Sequence, residues 1–330
     1  MQKSVAVTGA TGFVGGHLIE ALLADGHHVR VLVRDRSKLK QTSERLEIVE
    51  GDLDNKKALA RLVAGAGAVI HCAGAIAALG RGGFFKVNQA GAENVALAVK
   101  KAGVERFVLV SSLAAREPEL SAYGASKLAG EKSLAALVKP EHLAIVRPPA
   151  VYGPGDKATL PLIRALTQKR AILPGRADQK ISLLYVKDLA GLLVNLAHGG
   201  DLDGTVLEVD DGCPGGYSFK DLAQLAGAAQ GHDVALTLLP RPVVAMAGFA
   251  AGIAAQISRR AMVLSPEKVR ELYHPNWVAT GANVAGWKPE VQFAEGFGLT
   301  LSWYQQNGWL PGVGSAVTSQ HKSNHGDTVK

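Results

Sequence analysis

Three glycines, at positions 9, 12 and 15, constrain the fold of this 330-residue chain more than any other feature. They follow the apolar run Ser4–Thr8, which predicts a buried strand, and they open Gly12–Ala24, which predicts a helix. Gly9 would permit a sharp turn, Gly12 would let a pyrophosphate approach the backbone, and Gly15 would allow close helix–strand packing. A ligand-free turn is the alternative interpretation, but the strand–turn–helix setting favours a dinucleotide site. The candidate cofactor contacts of this turn are Gly9, Thr11, Gly12, Phe13, Val14 and Gly15.

Short apolar runs alternate with helical patterns as far as Arg147. Near-continuous apolar strands between helices indicate a parallel sheet that is covered on both faces, and right-handed crossovers then give a doubly wound α/β sheet of the Rossmann type. The predicted strands are Ser4–Thr8, His28–Val33, Leu46–Val49, Ala68–His71, Arg106–Val110 and Leu143–Val146. The predicted helices are Gly12–Ala24, Asp54–Val63, Phe84–Ala102 and Leu120–Val138.

The pattern becomes irregular after Arg147, where prolines and glycines mark an exit from the sheet. We therefore predict a dinucleotide-binding domain over residues 1–152, with elements returning to it at about 181–209. A smaller, mostly helical substrate domain would comprise residues 153–180 and 210–312. Residues 313–330 are polar and lack aromatic side chains, which predicts a disordered tail.

Composition excludes several classes of protein. Hydrophobic residues make up 47% and charged residues 20%, which is ordinary for a globular enzyme. The net charge of +7 is scattered and no nucleic-acid motif accompanies it, so we expect a small-molecule substrate and no nucleic acid. Two cysteines, Cys72 and Cys213, give no disulfide framework, and no signal-peptide pattern is seen, so we expect a cytoplasmic protein. No histidine spacing supports a metal site.

The segment Val243–Ala255 contains only apolar residues and glycine. Its 13 residues are too few to span a membrane, which takes about 20. We interpret it as a buried helix of the substrate domain or of a dimer face, in preference to an interfacial membrane helix.

The end of the second predicted strand bears on the choice of cofactor. An NAD site usually places an acidic residue there, whereas this chain has Val33 followed by Arg34, with Arg36 and Lys38 beyond. A guanidinium suits the 2′-phosphate of NADP, so Arg34 favours NADP over NAD, although NAD stays possible. Asp52, after the third strand, could accept a hydrogen bond from an adenine amino group or cap the following helix.

A second constellation indicates acid–base chemistry. Tyr123 and Lys127 lie four residues apart on a predicted helix and so share a face. A nearby ammonium favours the phenolate, which lets a tyrosine exchange a proton near neutral pH. Ser111 and Ser112 end the fifth strand at the edge where open α/β sheets bind ligands, and a serine hydroxyl there can bond a developing oxyanion.

With these motifs the chain resembles the extended branch of the short-chain dehydrogenase/reductase superfamily, over roughly residues 5–310. The matching segments are Thr8–Gly15, Gly51–Leu53, His71–Gly74, Val87-Asn88-x-x-Gly91-x-x-Asn94, Val110–Ser112, Tyr123-x-x-x-Lys127, Arg147–Gly155 and Val186–Asp188. The resemblance implies Tyr123 as the acid/base, Lys127 as its pKa-lowering partner and ribose ligand, and Ser112 as the residue that orients the substrate oxygen. It also implies a homodimer and a set of cofactor contacts: Asp52 and Leu53 at the adenine, Ala73 and Gly74 in the cleft, and Ser111, Pro148 and Val151 as further candidates.

Two departures separate the chain from the nucleotide-sugar enzymes of that branch. The interval between Ser112 and Tyr123 is shorter than theirs, and Pro149-Ala150 stands where they often have Asn. The segment from Arg147 onward is closer to reductase-like and hydroxysteroid-dehydrogenase-like members. We therefore expect an NAD(P)-dependent oxidoreductase acting at a carbonyl or alcohol carbon. An epimerase or dehydratase, or a redox-silent NADP(H)-binding structural or sensor protein, remains the alternative.

Overall fold

Seven parallel strands form the central sheet of the computed structural model, which describes residues 4–199, 202–246 and 265–311. Their order is β11-β6-β5-β4-β1-β2-β3. The strands are β1 (Val5–Thr8), β2 (Val29–Val33), β3 (Leu46–Glu50), β4 (Ala68–His71), β5 (Phe107–Val110), β6 (Leu143–Arg147) and β11 (Val206–Glu208). This order confirms the predicted doubly wound sheet, in which the order of successive strands reverses between β1 and β4.

Helices cover both faces of this sheet. Those of the sheet region are α1 (Phe13–Ala24), α2 (Lys56–Val63), α3 (Gly80–Phe85), α4 (Ala92–Ala102), α5 (Ala122–Leu137) and α7 (Val186–His198). Side chains alternate along β1, so that Val5 and Val7 join a core with α1 and α7, while Ala6 joins the opposite core with α2, α4 and α5. Burial on both faces explains why the strands have near-continuous apolar sequences.

The C-terminal half carries three two-stranded parallel sheets: β7 (Ala150–Tyr152) with β10 (Leu183–Tyr185), β8 (Arg170–Pro174) with β12 (Ala235–Leu239), and β9 (Lys180–Ile181) with β13 (Asn276–Trp277). Its helices are α6 (Leu160–Leu166), α8 (Phe219–Gln230), α9 (Pro266–Leu272) and α10 (Phe293–Gln306). Phe293, Phe297 and Tyr304 of α10 lie in a third core. Among the elements expected to return at 181–209, α7 and β11 reach the central sheet, whereas β9 and β10 pair elsewhere.

The predicted helix Phe84–Ala102 is confirmed as helical throughout, with one irregularity inside it. It comprises the end of α3, a π-helical turn at Lys86–Gly91, and α4. In the π-helical turn, the buried side chain of Asn88 bonds the backbone of Ala75, outside the helix. Such wide turns accommodate an extra residue and often mark functional sites.

Some predictions fall outside the described residues. The tail 313–330 lies wholly outside, and so does most of Val243–Ala255; only residues 241–246 are described there, as helical. On them, Val243 is 47% and Met246 72% exposed, while Val244 packs against α9. The part of the chain described contains no helix long and apolar enough to cross a bilayer.

Candidate active site

The glycine turn joins β1 to α1 at the carboxyl edge of the sheet. Gly9 has φ +79°, and a Cβ there would lie 2.6 Å from the backbone nitrogen of Ala73. A Cβ on Gly15 would collide with the carbonyl group of Gly9. Both glycines are therefore required by close backbone packing, as the sequence predicted.

Gly12 is exposed and stands at the N-cap of α1, where it offers no side-chain cap. The first N–H groups of α1 are therefore left without a side-chain acceptor, and Thr11 beside them is also exposed. Phe13 and Val14 begin α1 and are partly buried. An uncapped helix start in an open glycine turn fits the phosphates of a dinucleotide.

Arg34, the predicted contact of the cofactor ribose, lies directly after β2. Arg34 follows Val33 and is exposed. The carboxylate of Asp35 is engaged locally: it accepts from Ser37 N at 3.0 Å and Ser37 Oγ at 2.6 Å, and lies 3.6 Å from Lys38 Nζ. Because Asp35 is occupied in its own turn, Arg34 is the residue at this strand end best placed to meet a ligand.

At the end of β3, Asp52 Oδ1 accepts a hydrogen bond from Asp54 N at 3.0 Å. The cap of α2 is Asn55, whose side chain accepts from Ala58 N at 3.0 Å, so the predicted start of this helix at Asp54 was too early. Leu53 packs on Gly91, where a Cβ would lie 2.6 Å from Leu53 Cδ1. This contact is the physical reason for the glycine in the Asn88-x-x-Gly91 pattern.

Asn88 supports the loop after β4. Its side chain accepts from Ala75 N at 2.7 Å and donates to Ala75 O at 3.1 Å and Ser126 Oγ at 2.9 Å. Ala73 and Gly74 precede Ala75 in this loop, and Gly74 lies close to α5, since a Cβ on Gly74 would lie 3.6 Å from Lys127 Nζ. Sequence analysis placed Asn88 in a family pattern but assigned it no role.

Tyr123 lies in the first turn of α5, which Ser121 caps by accepting from Gly124 N at 3.0 Å. Burial raises the pKa of the Tyr123 phenol, a hydrogen bond with Ser112 opposes that shift, and the charge of Glu271 adds to it. Its ring also meets that of Phe84, with centroids 6.2 Å apart. The structure thus brings Ser112 and Tyr123 together, while the pKa of Tyr123 is raised rather than lowered.

Lys127 is buried one helical turn after Tyr123, and its ammonium donates to Val110 O at 2.8 Å. Burial lowers the pKa of Lys127 to about 8, and the negative charge of Glu131 opposes this shift. The lysine head group therefore lies at the carboxyl end of β5, beside Gly74.

Three further candidates differ in their placement. The hydroxyl of Ser111 donates to Glu131, inside the protein. Pro148 is buried and its carbonyl accepts from Leu113 N at 2.9 Å, which fixes the strand end beside Ser112. Val151 is partly buried in β7 and packs against the core that contains α1 and α7.

The sequence did not predict that two glutamates of α9 would bond the start of α5. Glu267 accepts from Ala122 N at 2.8 Å, and the buried Glu271 accepts from Ser121 Oγ, so both hold the start of α5. These contacts join residues about 150 positions apart in the chain. No local sequence signal could have revealed them.

Three of the described histidines need separate mention: His71 packs at the end of β4, and His27 and His198 lie at the other edge of the sheet. His71 is 1% exposed, is hydrogen-bonded to Thr8 Oγ1 at 2.6 Å, and burial lowers its pKa to about 3, as expected for a packed strand-end histidine. His27 stacks on His198 beside Asp25, at the opposite edge of the sheet. These three side chains form a group of potential metal ligands that spacing did not predict.

Comparison with known proteins agrees with this geometry. The family model for the NAD dependent epimerase/dehydratase family matches residues 5–205. Ceramide reductase of Caulobacter vibrioides is 41% identical over 310 residues, covering 93% of this chain and 96% of that protein. A 3 beta-hydroxysteroid dehydrogenase/Delta 5→4-isomerase of Mycobacterium tuberculosis is 30% identical over 248 residues, covering 67% and 65%.

Among solved structures, the UDP-glucuronic acid 4-epimerase from Bacillus cereus in complex with NAD has a TM-score of 0.68. It is 19% identical and covers 92% of this chain and 99% of its own, a likeness that concerns the fold alone. The family model matches more than half of the chain, and the reductase is similar over nearly the whole length of both proteins. The chain belongs to the NAD dependent epimerase/dehydratase family, within the extended short-chain dehydrogenase/reductase superfamily.

Proposed function

We propose that this protein is an NADPH-dependent reductase that converts the ketone of a ceramide-type lipid to the secondary alcohol. The observation that carries the reaction type is the Tyr123 phenol beside Ser112, with a raised pKa. A phenol that stays protonated at neutral pH is poised to donate its proton to a carbonyl oxygen. The substrate class is supported by the 41% identity to a ceramide reductase over nearly the whole chain.

Three side chains have separate roles in the proposed reaction. The Ser112 hydroxyl orients the carbonyl oxygen, and Tyr123 donates the proton as the carbonyl carbon is reduced. Lys127 supplies a positive charge that stabilises the phenolate left behind. The glycine turn and the loop at Gly74 would hold a nicotinamide cofactor, which would supply the hydride.

The choice of NADPH rests on Arg34. Its guanidinium is exposed at the end of β2, and Asp35, the neighbouring acid, is bonded within its own turn. A free cation at this position recognises a 2′-phosphate, whereas a free carboxylate would repel it.

An amphiphilic substrate also agrees with the surface beside the site. Ile76 is 69% and Leu79 54% exposed on the loop that leads into α3, whose Phe84 meets the ring of Tyr123. Two large apolar side chains exposed on one short loop offer a surface for an alkyl chain.

The test is a turnover assay with purified protein, NADPH and a keto-ceramide, followed by loss of nicotinamide absorbance and by mass detection of the alcohol. We expect stoichiometric alcohol with the wild-type protein, and its formation to be about a hundred- to ten-thousand-fold slower with Tyr123→Phe. Release of an epimerised UDP-sugar by protein holding NAD, with no keto-ceramide reduced, would replace the proposal by the epimerase alternative.

A homodimer belongs to the proposal as well. Leu97 is 45% exposed on α4, a helix that packs against the sheet through its other face. We expect the wild-type protein to elute at twice the chain mass in light scattering, and Leu97→Asp to elute as a monomer. A monomeric wild-type protein would contradict this.

A further inference from the structure

A buried carboxylate, Glu131, lies on the same face of α5 as Tyr123 and Lys127. Tyr123, Lys127 and Glu131 follow one another at intervals of four residues, so they lie along one side of the helix. Glu131 is 4% exposed, and its carboxylate accepts hydrogen bonds from Arg147 Nε at 2.9 Å and Arg147 Nη2 at 2.6 Å. It also accepts from the Ser111 hydroxyl. A two-point bond to a guanidinium fixes both the place and the orientation of a carboxylate.

Further ion pairs lead from Arg147 towards the C-terminal half of the chain. Arg147 Nη1 lies 3.5 Å from Glu208 Oε1, and Arg116 Nη1 lies 3.2 Å from Glu208 Oε2. Arg116 then donates to the carbonyls of Val278 and Asn276, each at 2.8 Å. Buried pairs of this kind contribute little net stability, because desolvation offsets most of the Coulomb attraction. A role in placing the catalytic groups accounts for the arrangement better than stability does.

Lys127 needs such a partner because burial acts against its charge. The titratable groups around it are Tyr123 and Glu131 on α5, and His71 and Cys72 at the end of β4. Burial lowers the pKa of His71 to about 3 and raises that of the Cys72 thiol to about 12, so both are neutral at pH 7. Tyr123 is also protonated there. Glu131 is thus the member of this group that brings a negative charge.

We infer that Glu131 is a positioning residue, whose carboxylate, fixed by Arg147, holds the Lys127 ammonium in its charged form and aimed at the cofactor cleft. This inference rests on the proposed function, because that function makes Lys127 catalytic. Both oxygens of the Glu131 carboxylate are bonded within the protein, to Ser111 and Arg147. Glu131 acts through Lys127.

The direct test measures the titration of Lys127 without substrate or cofactor. Protein labelled with [ε-13C]lysine is titrated by NMR, and Lys127→Arg identifies the resonance. We expect Glu131→Gln to lower the pKa of Lys127 by about one unit or more, as loss of a unit charge nearby dictates. Glu93→Gln, which removes an exposed acid from α4, should leave it unchanged. An unchanged Lys127 titration in Glu131→Gln would overturn the inference.

A second measurement follows NADPH affinity and the reduction rate against pH. Since both need the charged lysine, they should fall as pH rises through about 8 in the wild-type protein. In Glu131→Gln this fall should begin at lower pH, whereas a purely structural defect would reduce both at every pH without moving it. Glu131→Asp keeps the charge and should restore most of the wild-type profile. If Glu131→Gln does not fold, a Lys127 pKa in Glu131→Asp that lies about one unit or more below the wild-type value would count against the inference, because the charge would still be present. Failure of keto-ceramide reduction alone would refute the substrate and leave the NMR result standing.

Discussion

At the scale of single residues, the site combines one donor with a set of groups kept neutral. Burial keeps the Tyr123 phenol protonated, and it also keeps His71 and Cys72, which interact with Lys127, neutral. Lys127 alone among these is a cation near neutral pH. The chemistry therefore depends on two side chains spaced four residues apart, which makes it sensitive to single substitutions.

Tyr123→Phe removes the proton donor and keeps the ring. We expect turnover to fall by about a hundred- to ten-thousand-fold, because general acid catalysis typically contributes that much. NADPH affinity, measured by fluorescence titration, should stay within a few-fold of wild type. Tyr217→Phe, which removes a buried hydroxyl bonded to Asp211 in the other core, should lower the melting temperature without this loss of rate. Undiminished turnover in Tyr123→Phe would rule out its role as the acid.

Arg34→Asp should reverse the cofactor preference. The substitution replaces a cation by an anion where a 2′-phosphate would lie, so we expect the affinity ratio of NADPH to NADH to fall by about tenfold or more. Lys40→Asp makes the same change in charge at an exposed position beyond this turn and should leave the ratio near wild type. A ratio that does not move in Arg34→Asp would show that another residue reads the ribose.

At the scale of elements, the site depends on how closely β1, α1 and the end of β4 approach one another. Gly9 and Gly15 permit that approach, and Asn88 fixes the loop from the far side through its π-helical turn. The glycine turn is rigid because its backbone atoms pack directly on other backbone atoms, so no flexible side chain can move aside.

Gly15→Ala tests this packing. Its Cβ would collide with the Gly9 carbonyl, so we expect a loss of about 1–3 kcal/mol in the free energy of unfolding and a loss of NADPH binding. Gly16→Ala is the matched control, because a Cβ there meets only Gln41 Nε2, at 3.5 Å. In the helix interior this control should gain about 0.5–1 kcal/mol. Equal effects of the two substitutions in denaturant titrations would contradict the close-packing argument.

At the scale of the whole molecule, the site is assembled from both halves of the chain. The start of α5 is held by Glu267 and Glu271 of α9, and the loop after Ser112 is tied through Arg116 to residues 276 and 278. The two halves therefore meet at the start of α5, which carries the proposed acid Tyr123. The exposed apolar loop at Ile76 and Leu79 leads into α3, whose Phe84 meets the Tyr123 ring.

Leu79→Asp tests whether this loop meets an alkyl chain. We expect KM for a long-chain keto-ceramide to rise by about tenfold, because a charge opposes apolar contact, with little change for a short-chain analogue. Leu299→Asp places the same charge on an exposed position of α10 and should not change KM. Equal KM values for both chain lengths in Leu79→Asp would separate the loop from substrate binding.

The first six central strands, the glycine turn and the spacing of Ser112, Tyr123 and Lys127 could be predicted from the sequence, because each depends on local periodicity or on spacing within one or two elements. The short strands β7, β8 and β12 were not predicted, since few of their side chains are fully buried and their pairing comes from distant segments. The π-helical turn inside Phe84–Ala102 was not predicted either, because Asn88 bonds a loop outside the helix. The tertiary structure alone decided three features: the direction in which the pKa of Tyr123 is shifted, the series of ion pairs from Glu131 to Arg116, and the contacts of α9 with the start of α5. Each of these arises from burial, or from contacts between residues far apart in the chain.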